Sequence, residues 1–484
     1  FPIDVKAGGH SSDDGLLVMN HEYIEQEFLI GGPAVLDENG KRPADDVRKE
    51  IAAHGVSVIH IKKGLDGRWN IVQSAFNRRI TGATPMQLAG PARGHAKVRT
   101  HYSPDGTMTR GTLNNCAHGY TPWGTYLTCE ENWAGYFVNK DASRPKEHAR
   151  FGVSGSRGRY GWELADSAED AYVRFDATTL GATAADDYRN EPNTFGWIVE
   201  IDPFNPDSTP VKRTALGRFA HEGIVFAKAE EGKPLVCYSG DDSQFEYIYK
   251  FVSRQPYYAS TAGGHLLNDG TLYVAQFNED GTGNWLVLDV NDATFQSKMQ
   301  AAVVAGTLDA PFADQGDLLI NTRLAADIAG ATKMDRPEWG AVDPNTGTVY
   351  FTLTNNTRRT DAQVDAANPR ANNATGHIIR WDEDSEPAAV TFKWDIFLLS
   401  GDVGTATGNT VLTADSHHAS PDGLWFDDRG VLWIQTDMSG SQLASGPFGN
   451  NQMLACDPNT KEIKRFLVGP PVCEVTGVVM TPDR

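Results

Sequence analysis

Short apolar runs, cut every few residues by Gly, Pro, Asn or Asp, set the rhythm of this chain. Leu235–Ser239, Val349–Leu353, Val431–Gln435 and Tyr126–Cys129 are rich in β-branched and aromatic residues and too short for helices. Such runs read as strands joined by tight turns. They come in pairs, each with acids at its open end. One pair starts at His221-Glu222-Gly223 and ends at Ser239-Gly240-Asp241-Asp242. A second runs from Pro337-Glu338-Trp339 to Asn355-Asn356, and a third from Pro421-Asp422-Gly423 to Asp437. In an antiparallel hairpin the first residue of one strand sits beside the last residue of the next. This places Glu222 beside Asp241, Glu338 beside Asn355 and Asp422 beside Asp437.

Further copies extend the pattern. Cys116-Ala117-His118-Gly119 leads to Thr128-Cys129-Glu130-Glu131-Asn132, while Cys473-Glu474 to Asp483 is half a copy. Asp13-Asp14-Gly15 to His21-Glu22 supplies the other half at the opposite end of the chain. A phrase split between the termini is what a β-propeller closed by its own ends would show, since closure removes free sheet edges. The expected fold is all-β: one propeller domain over residues 1–484, with about six blades. The copies lie roughly 100 residues apart in places, where a simple blade needs about 40–45, so insertions fill the excess. Asp45-Asp46 followed by Ala52–Lys62 predicts a short helix and a strand. Leu324–Ile328, within the Ala-rich stretch 301–332, predicts a helix, and 355–373 reads as a polar loop.

The composition, 40% hydrophobic and 22% charged, is that of a folded protein. Eleven Trp and fifteen Tyr favour strands. A net charge of −20 speaks against nucleic acid and anionic membrane as partners. The five cysteines form no C-x-x-C pair, which argues against a zinc ribbon or a disulfide scaffold. No apolar run is long enough to cross a bilayer and no signal peptide is present. Phe1 stands where an initiator Met would, so the start reads as processed or trimmed, and export stays open.

Most of the 63 acids simply solubilise the chain. Those at equivalent strand ends are different: Glu22, Glu130, Glu131, Glu222, Asp241, Asp242, Glu338, Asp422 and Glu474 together suit a hard cation that takes six to eight oxygens. Cys129 lies among them. A lone strand cysteine is ordinarily a small buried apolar residue, but a thiolate there would select a softer metal such as iron or zinc. His21, His118, His221 and the pair His417-His418 are ligands, supports for acids, or plain surface and core histidines. Arg336 alternates onto the face of Glu338, and Arg78, Arg79, Arg93, Arg358 and Arg359 lie in loops. A guanidinium fork grips phosphate or carboxylate oxygens, and the alternative for Arg336 is a structural ion pair. No phosphate-binding Gly loop or nucleophile-elbow serine appears, which favours metal-activated water over a serine triad.

The stretches Gly15–Tyr23, Leu127–Asn132, His221–Gly223, Ser239–Asp242, Asn321–Arg323, Met334–Trp339 and Cys473–Gly477 occur in order over essentially the whole chain. In them the sequence resembles the PhoX-type alkaline phosphatases. The resemblance implies a propeller that hydrolyses phosphate monoesters with a mixed calcium and iron cluster. It also implies export to the periplasm, and the chain is expected to be a monomer. Cys129 would match the iron-ligating thiol, and Glu222, Asp241 and Glu338 the metal-binding carboxylates, with Glu130 and Asp422 added to the metal set. Arg336 would match the phosphate-contacting arginine and, with Glu338, form the catalytic pair. The family leads one to expect a further strand after Thr481-Pro482-Asp483. Two rivals stay open: a propeller lactonase using a single calcium, against which Cys129 and Arg336 speak, and a non-catalytic calcium-stabilised binding propeller.

Overall fold

The computed structural model describes residues 1–483 and is mostly β. Its strands form sheets of four, six, nine and four strands, with a separate two-stranded ribbon. Among the described residues no helix is long and apolar enough to cross a membrane.

The expected hairpins are present. The exception is Asp14–His21, expected to complete a copy with 473–483: it pairs antiparallel with Gly55–Lys63 instead. Asn115–Tyr120 and Tyr126–Glu130 open the six-stranded sheet. Val225–Phe226 with Pro234–Gly240, and Pro337–Val342 with Val349–Leu353, stand at the two ends of the nine-stranded sheet. That sheet is two meanders joined at their far edges, where Thr282–Asn284 meets Thr391–Lys393. Pro421–Phe426 and Leu432–Thr436 open the last sheet.

The opening strands of the successive hairpin copies lie side by side in chain order. Their backbones approach closely enough to demand glycine. A Cβ on Gly119 would lie 2.2 Å from the Ile224 carbonyl oxygen, and one on Gly423 would lie 2.4 Å from that of Thr476. Side chains complete the joints. Asn20 Nδ2 donates to the carbonyls of Cys116 and Ala117 at 2.7 and 3.0 Å. Thr352 and Thr354 hydroxyls donate to the carbonyls of Asp422 and Pro421, both at 2.7 Å. Between the two meanders of the nine-stranded sheet lies an apolar layer that includes Tyr238, Trp285, Phe351, Trp381 and Phe392.

Three of the hairpins break register at the same place. The ladder shifts between Asn115 and His118, between Pro337 and Gly340, and between Pro421 and Leu424. A bulge lets two residues oppose one and re-aims a side chain. Here it falls on Cys116, Glu338 and Asp422. It also displaces the expected pairings: Pro337 faces Leu353 and Pro421 faces Thr436, so neither Glu338 and Asn355 nor Asp422 and Asp437 are direct partners. A fourth copy shifts by one residue in the same way, from His221 bridging Asp241 to Val225 pairing Tyr238; Glu222 lies in the gap, its N donating to Gly240 O, and so is not the direct partner of Asp241.

The insertions follow the sequence. Ala44–Ala53 is helical and leads into its strand. Arg79 Nη2 closes the helix by donating to the carbonyls of Ala52, Ala53 and His54. The Ala-rich stretch overlaps helices Ala293–Val304, Gln315–Ile320 and Thr322–Ala329. The 355–373 loop holds one short 3-10 turn, Asp361–Gln363.

At the C-terminal end no strand is assigned over 469–483. This segment nevertheless fills the place beside Gly423 that an opening strand fills beside Gly119. Asp483 N donates to Ser12 Oγ at 2.8 Å. The free edge of Asp14–His21 is taken by the chain's own start, with Leu16 N donating to Phe1 O at 2.8 Å. Gly423→Ala should therefore destabilise the fold by about 1–3 kcal/mol and expose the 473–483 segment to protease. Thermal melting and limited proteolysis would check it.

Candidate metal centre

The bulges and strand ends converge on one strip of acids. Glu22 follows the first strand of the chain, and Cys116 sits in its bulge. Glu131 follows Tyr126–Glu130, Glu222 precedes Val225–Phe226, and Asp242 follows Pro234–Gly240. Glu338 and Asp422 lie in the later bulges. Possible ligand atoms of Glu22, Cys116 and Glu131 lie within 4.8 Å of one another, and so do those of Glu131, Glu222 and Asp242, and of Glu222, Glu338 and Asp422. Glu131 and Glu222 are shared, so the three groups make one continuous row. Asp437 and Glu474 flank it: Glu474 feels the charges of Asp437 and Glu22 and bonds to Asp422.

Burial sets the electrostatics. It pushes the Glu22 carboxyl up to about 7 and those of Glu338 and Glu474 to about 8, with neighbouring acids adding to the shift. Burial and mutual repulsion hold Glu131, Glu222 and Asp422 well above the ordinary carboxylate range. The Cys116 thiol is raised by burial and by the same acids, and its Sγ donates to Glu222 Oε1 at 2.9 Å.

Arg336 is the guanidinium that meets this row. Its Nε and Nη2 grip Asp242 at 2.8 and 2.7 Å, and Nη2 lies 2.9 Å from Glu338 Oε1. Its backbone is left-handed, with φ at 59°, uncommon for a residue with a side chain. Asp422 Oδ1 is buried with no hydrogen-bond donor, and Glu338 Oε1 faces Arg336 without hydrogen-bonding geometry. Buried acceptors of this kind call for a donor or an ion. An oxygen-rich, mostly buried row with one thiol fits a hard cation beside a softer one.

Glu222, Glu338 and Asp422 are thus where the sequence put them, with Arg336 beside them. Three expected ligands are not. Cys129 is buried in the apolar core. Glu130 accepts from Lys212 Nζ at 2.7 Å and from the amides of Gly196 and Trp197 at 2.9 and 3.1 Å. Asp241 is forked by Arg323 Nε and Nη2 at 2.8 and 2.5 Å and accepts from Ala220 N. In both doublets the next residue, Glu131 or Asp242, faces the row. Side chains alternate faces, so a one-residue slip sends an acid to the wrong side. Cys116, not Cys129, is the thiol that lies within 4.8 Å of the possible ligand atoms of Glu22 and Glu131. The available signal was its place at the opening of its repeat copy, the position that Glu222, Glu338 and Asp422 hold in theirs.

The histidines are structural. His221 bonds Ser239 Oγ and Gly217 O, His21 bonds Ser57 Oγ, His418 bonds Ser400 Oγ, and His417 faces Asp402. His118 stacks on Tyr126. Arg78, Arg79 and Arg93 bond backbone carbonyls, Arg358 bonds Gln244, and Arg359 is buried against Asp335.

The chain matches the family model described as alkaline phosphatase PhoX over residues 1–484. Among solved structures, PhoX from Pseudomonas fluorescens in complex with vanadate, a transition state analogue, is 42% identical with a TM-score of 0.85, covering 98% of this chain and 80% of that one. A xyloglucanase from Xanthomonas campestris, 12% identical over 56% of this chain and 27% of that one, has a TM-score of 0.25. A PQQ-bound aldose sugar dehydrogenase from Streptomyces coelicolor, 12% identical over 79% and 87%, has a TM-score of 0.26. Neither carries an argument about this fold. No curated protein matches the chain.

Two outcomes are expected. Glu130→Gln breaks a buried ion pair and should cost about 3–5 kcal/mol while leaving the metal content of the folded fraction unchanged. Glu131→Gln should lose metal and leave the melting temperature of the chelated protein unchanged or higher. Melting curves with elemental analysis separate the two. The second concerns pH. In cation-free protein Glu22, Glu338 and Glu474 keep protons that the unfolded chain releases near 4.5. Stability is therefore lost as pH rises from there through 7 and 8. A cation replaces those protons, so added Ca²⁺ should raise the melting temperature little at pH 5 and strongly at pH 8.

Proposed function

The chain belongs to the alkaline phosphatase PhoX family, and we propose that its buried row of acids holds calcium together with iron, with Cys116 as the iron-ligating thiol. It is a metal-dependent phosphatase acting on phosphate monoesters. The observation that carries the cluster reading is the shared row itself: Glu131 and Glu222 each belong to two adjoining ligand groups. Several cations can therefore sit side by side, and one of the groups offers a thiol. A single-calcium lactonase needs neither the thiol nor the neighbouring guanidinium.

When bound, the cations supply Lewis acidity, drawing charge from the phosphate oxygens. The chain supplies the rest. Burial of Glu131, Glu222, Asp242, Glu338 and Asp422 keeps water from competing for the cations. Glu222 and Glu338 hold the centre of the row, and the Arg336 side chain, 24% exposed, is placed to offer its fork to a phosphate oxygen. A left-handed backbone locked by Thr354 N donating to Arg336 O at 3.1 Å fixes the direction of that fork. Positioning and charge neutralisation of this kind are the main source of phosphoryl-transfer catalysis. The vanadate complex of the Pseudomonas fluorescens relative supports a site that takes a phosphate-like anion.

The same reading makes the chain one propeller of about six sectors. Its support is the side-by-side opening strands, the 473–483 segment beside Gly423, and Asp483 against Ser12. A periplasmic or secreted monomer with no affinity for nucleic acid completes the proposal.

Exhaustive chelation should abolish hydrolysis, and calcium with iron should restore it. Cys116→Ser should lose iron, thiolate-to-metal absorption and most activity, while Cys129→Ser should keep all three. The opposite pattern would return the iron to Cys129. Arg336→Lys keeps the charge but loses the fork, and should lower kcat/KM about a hundredfold and weaken inhibition by phosphate. Unchanged kinetics would make Arg336 purely structural.

A further inference from the structure

The acid row is not equally closed along its length. Glu131, Glu222, Asp242, Glu338 and Asp422 are buried, whereas Glu22 and Cys116 are half-buried, as are the flanking Asp437 and Glu474, so Glu22 lies on an open side of the row. The residue that follows Glu22 is Tyr23, 41% exposed. Its hydroxyl faces Asn114, Glu131 and Glu22. Over its ring lies the guanidinium of Arg159, 4.8 Å from the centroid. In a chain with 63 acids and 43 basic residues, an exposed arginine normally finds a carboxylate. Among the described residues the Arg159 guanidinium makes no ion pair and no hydrogen bond, and its N–H groups are free.

Arg159 is also held in place from behind. Its amide donates to Gly135 O at 2.6 Å. The next residue, Tyr160, stacks on Trp162 and meets Tyr136 edge-on. Its hydroxyl accepts from Ile24 N at 3.4 Å, which ties this segment to the one carrying Glu22 and Tyr23. The cation is thus presented on this open side of the row by a rigid aromatic base.

We propose that Tyr23 and Arg159 form the leaving-group subsite, and that Arg159 selects phosphate monoesters whose alcohol part carries a second anionic group. This rests on the phosphatase reading above. With the phosphate seated in the row, the open side beside Glu22 leads the rest of the ester past Tyr23. A flat or apolar stem lies on the phenol ring, and a carboxylate or second phosphate on that stem meets the unpaired guanidinium. Arginine suits this because its fork stays free for an anion while its face rests on an aromatic ring.

The test compares 4-carboxyphenyl phosphate with phenyl phosphate on the metal-loaded enzyme. Arg159→Ala should lower the ratio of their kcat/KM values about threefold, the size an exposed ion pair supports, with the change in KM. Arg159→Glu should lower it further, by about tenfold. Arg159→Lys should restore part of the ratio. Both esters falling equally, or a ratio at the wild-type value in the Ala and Glu variants, overturns the proposal. Failure of the phosphatase reading would look different, because wild-type enzyme would then hydrolyse neither ester.

Discussion

Carboxyl groups held out of water within 4.8 Å of one another repel when ionised, and desolvation adds to the cost. Three things can relieve that: protons, a guanidinium or metal cations. In this protein protons account for the raised carboxyls of Glu22, Glu338 and Glu474, and Arg336 covers Asp242 and one side of Glu338. One guanidinium does not balance the row. At alkaline pH cations are the remaining answer, and the rest of the architecture serves to keep the acids together until cations arrive.

That holding is done by backbone geometry. Bulges at Cys116, Glu338 and Asp422 turn side chains off the ladder toward the row. Glycines at 119 and 423 let adjoining sheets close to backbone contact, which brings successive acids within bridging range. A second set of acids works behind the first. Glu130 on Lys212 and Asp241 on Arg323 are fully paired and buried, so each pins the strand end from which its neighbour, Glu131 or Asp242, reaches the row. In each doublet one acid builds the scaffold and the other belongs to the site.

Charge is distributed along the mouth by the same logic. Arg336 stands within the row, paired with Asp242 and Glu338, and Arg159 stands on the Tyr23 ring, next to Glu22. In an acidic chain such cations are few beside the row, and these two arginines are placed as an inner and an outer position for the charges of an anionic ligand.

The hairpin phrases and their acids were legible from the chain, because strand alternation and turn residues are local properties. So were the helix at 44–53 and the row members Glu222, Glu338, Asp422 and the neighbouring Arg336. Which member of Glu130-Glu131 and of Asp241-Asp242 faces the row was not. Tyr126–Glu130 is buried on both faces, so hydrophobic alternation gives no direction there, and the choice is made by distant partners, Lys212 and Arg323. The thiol was misplaced for the same reason. Cys129 borders acids in sequence but packs into the core, whereas Cys116 owes its place to a bulge that is defined by pairing with another strand. A period of two identifies strands; the face each residue shows, and what waits there, is settled by the strands and helices folded against it.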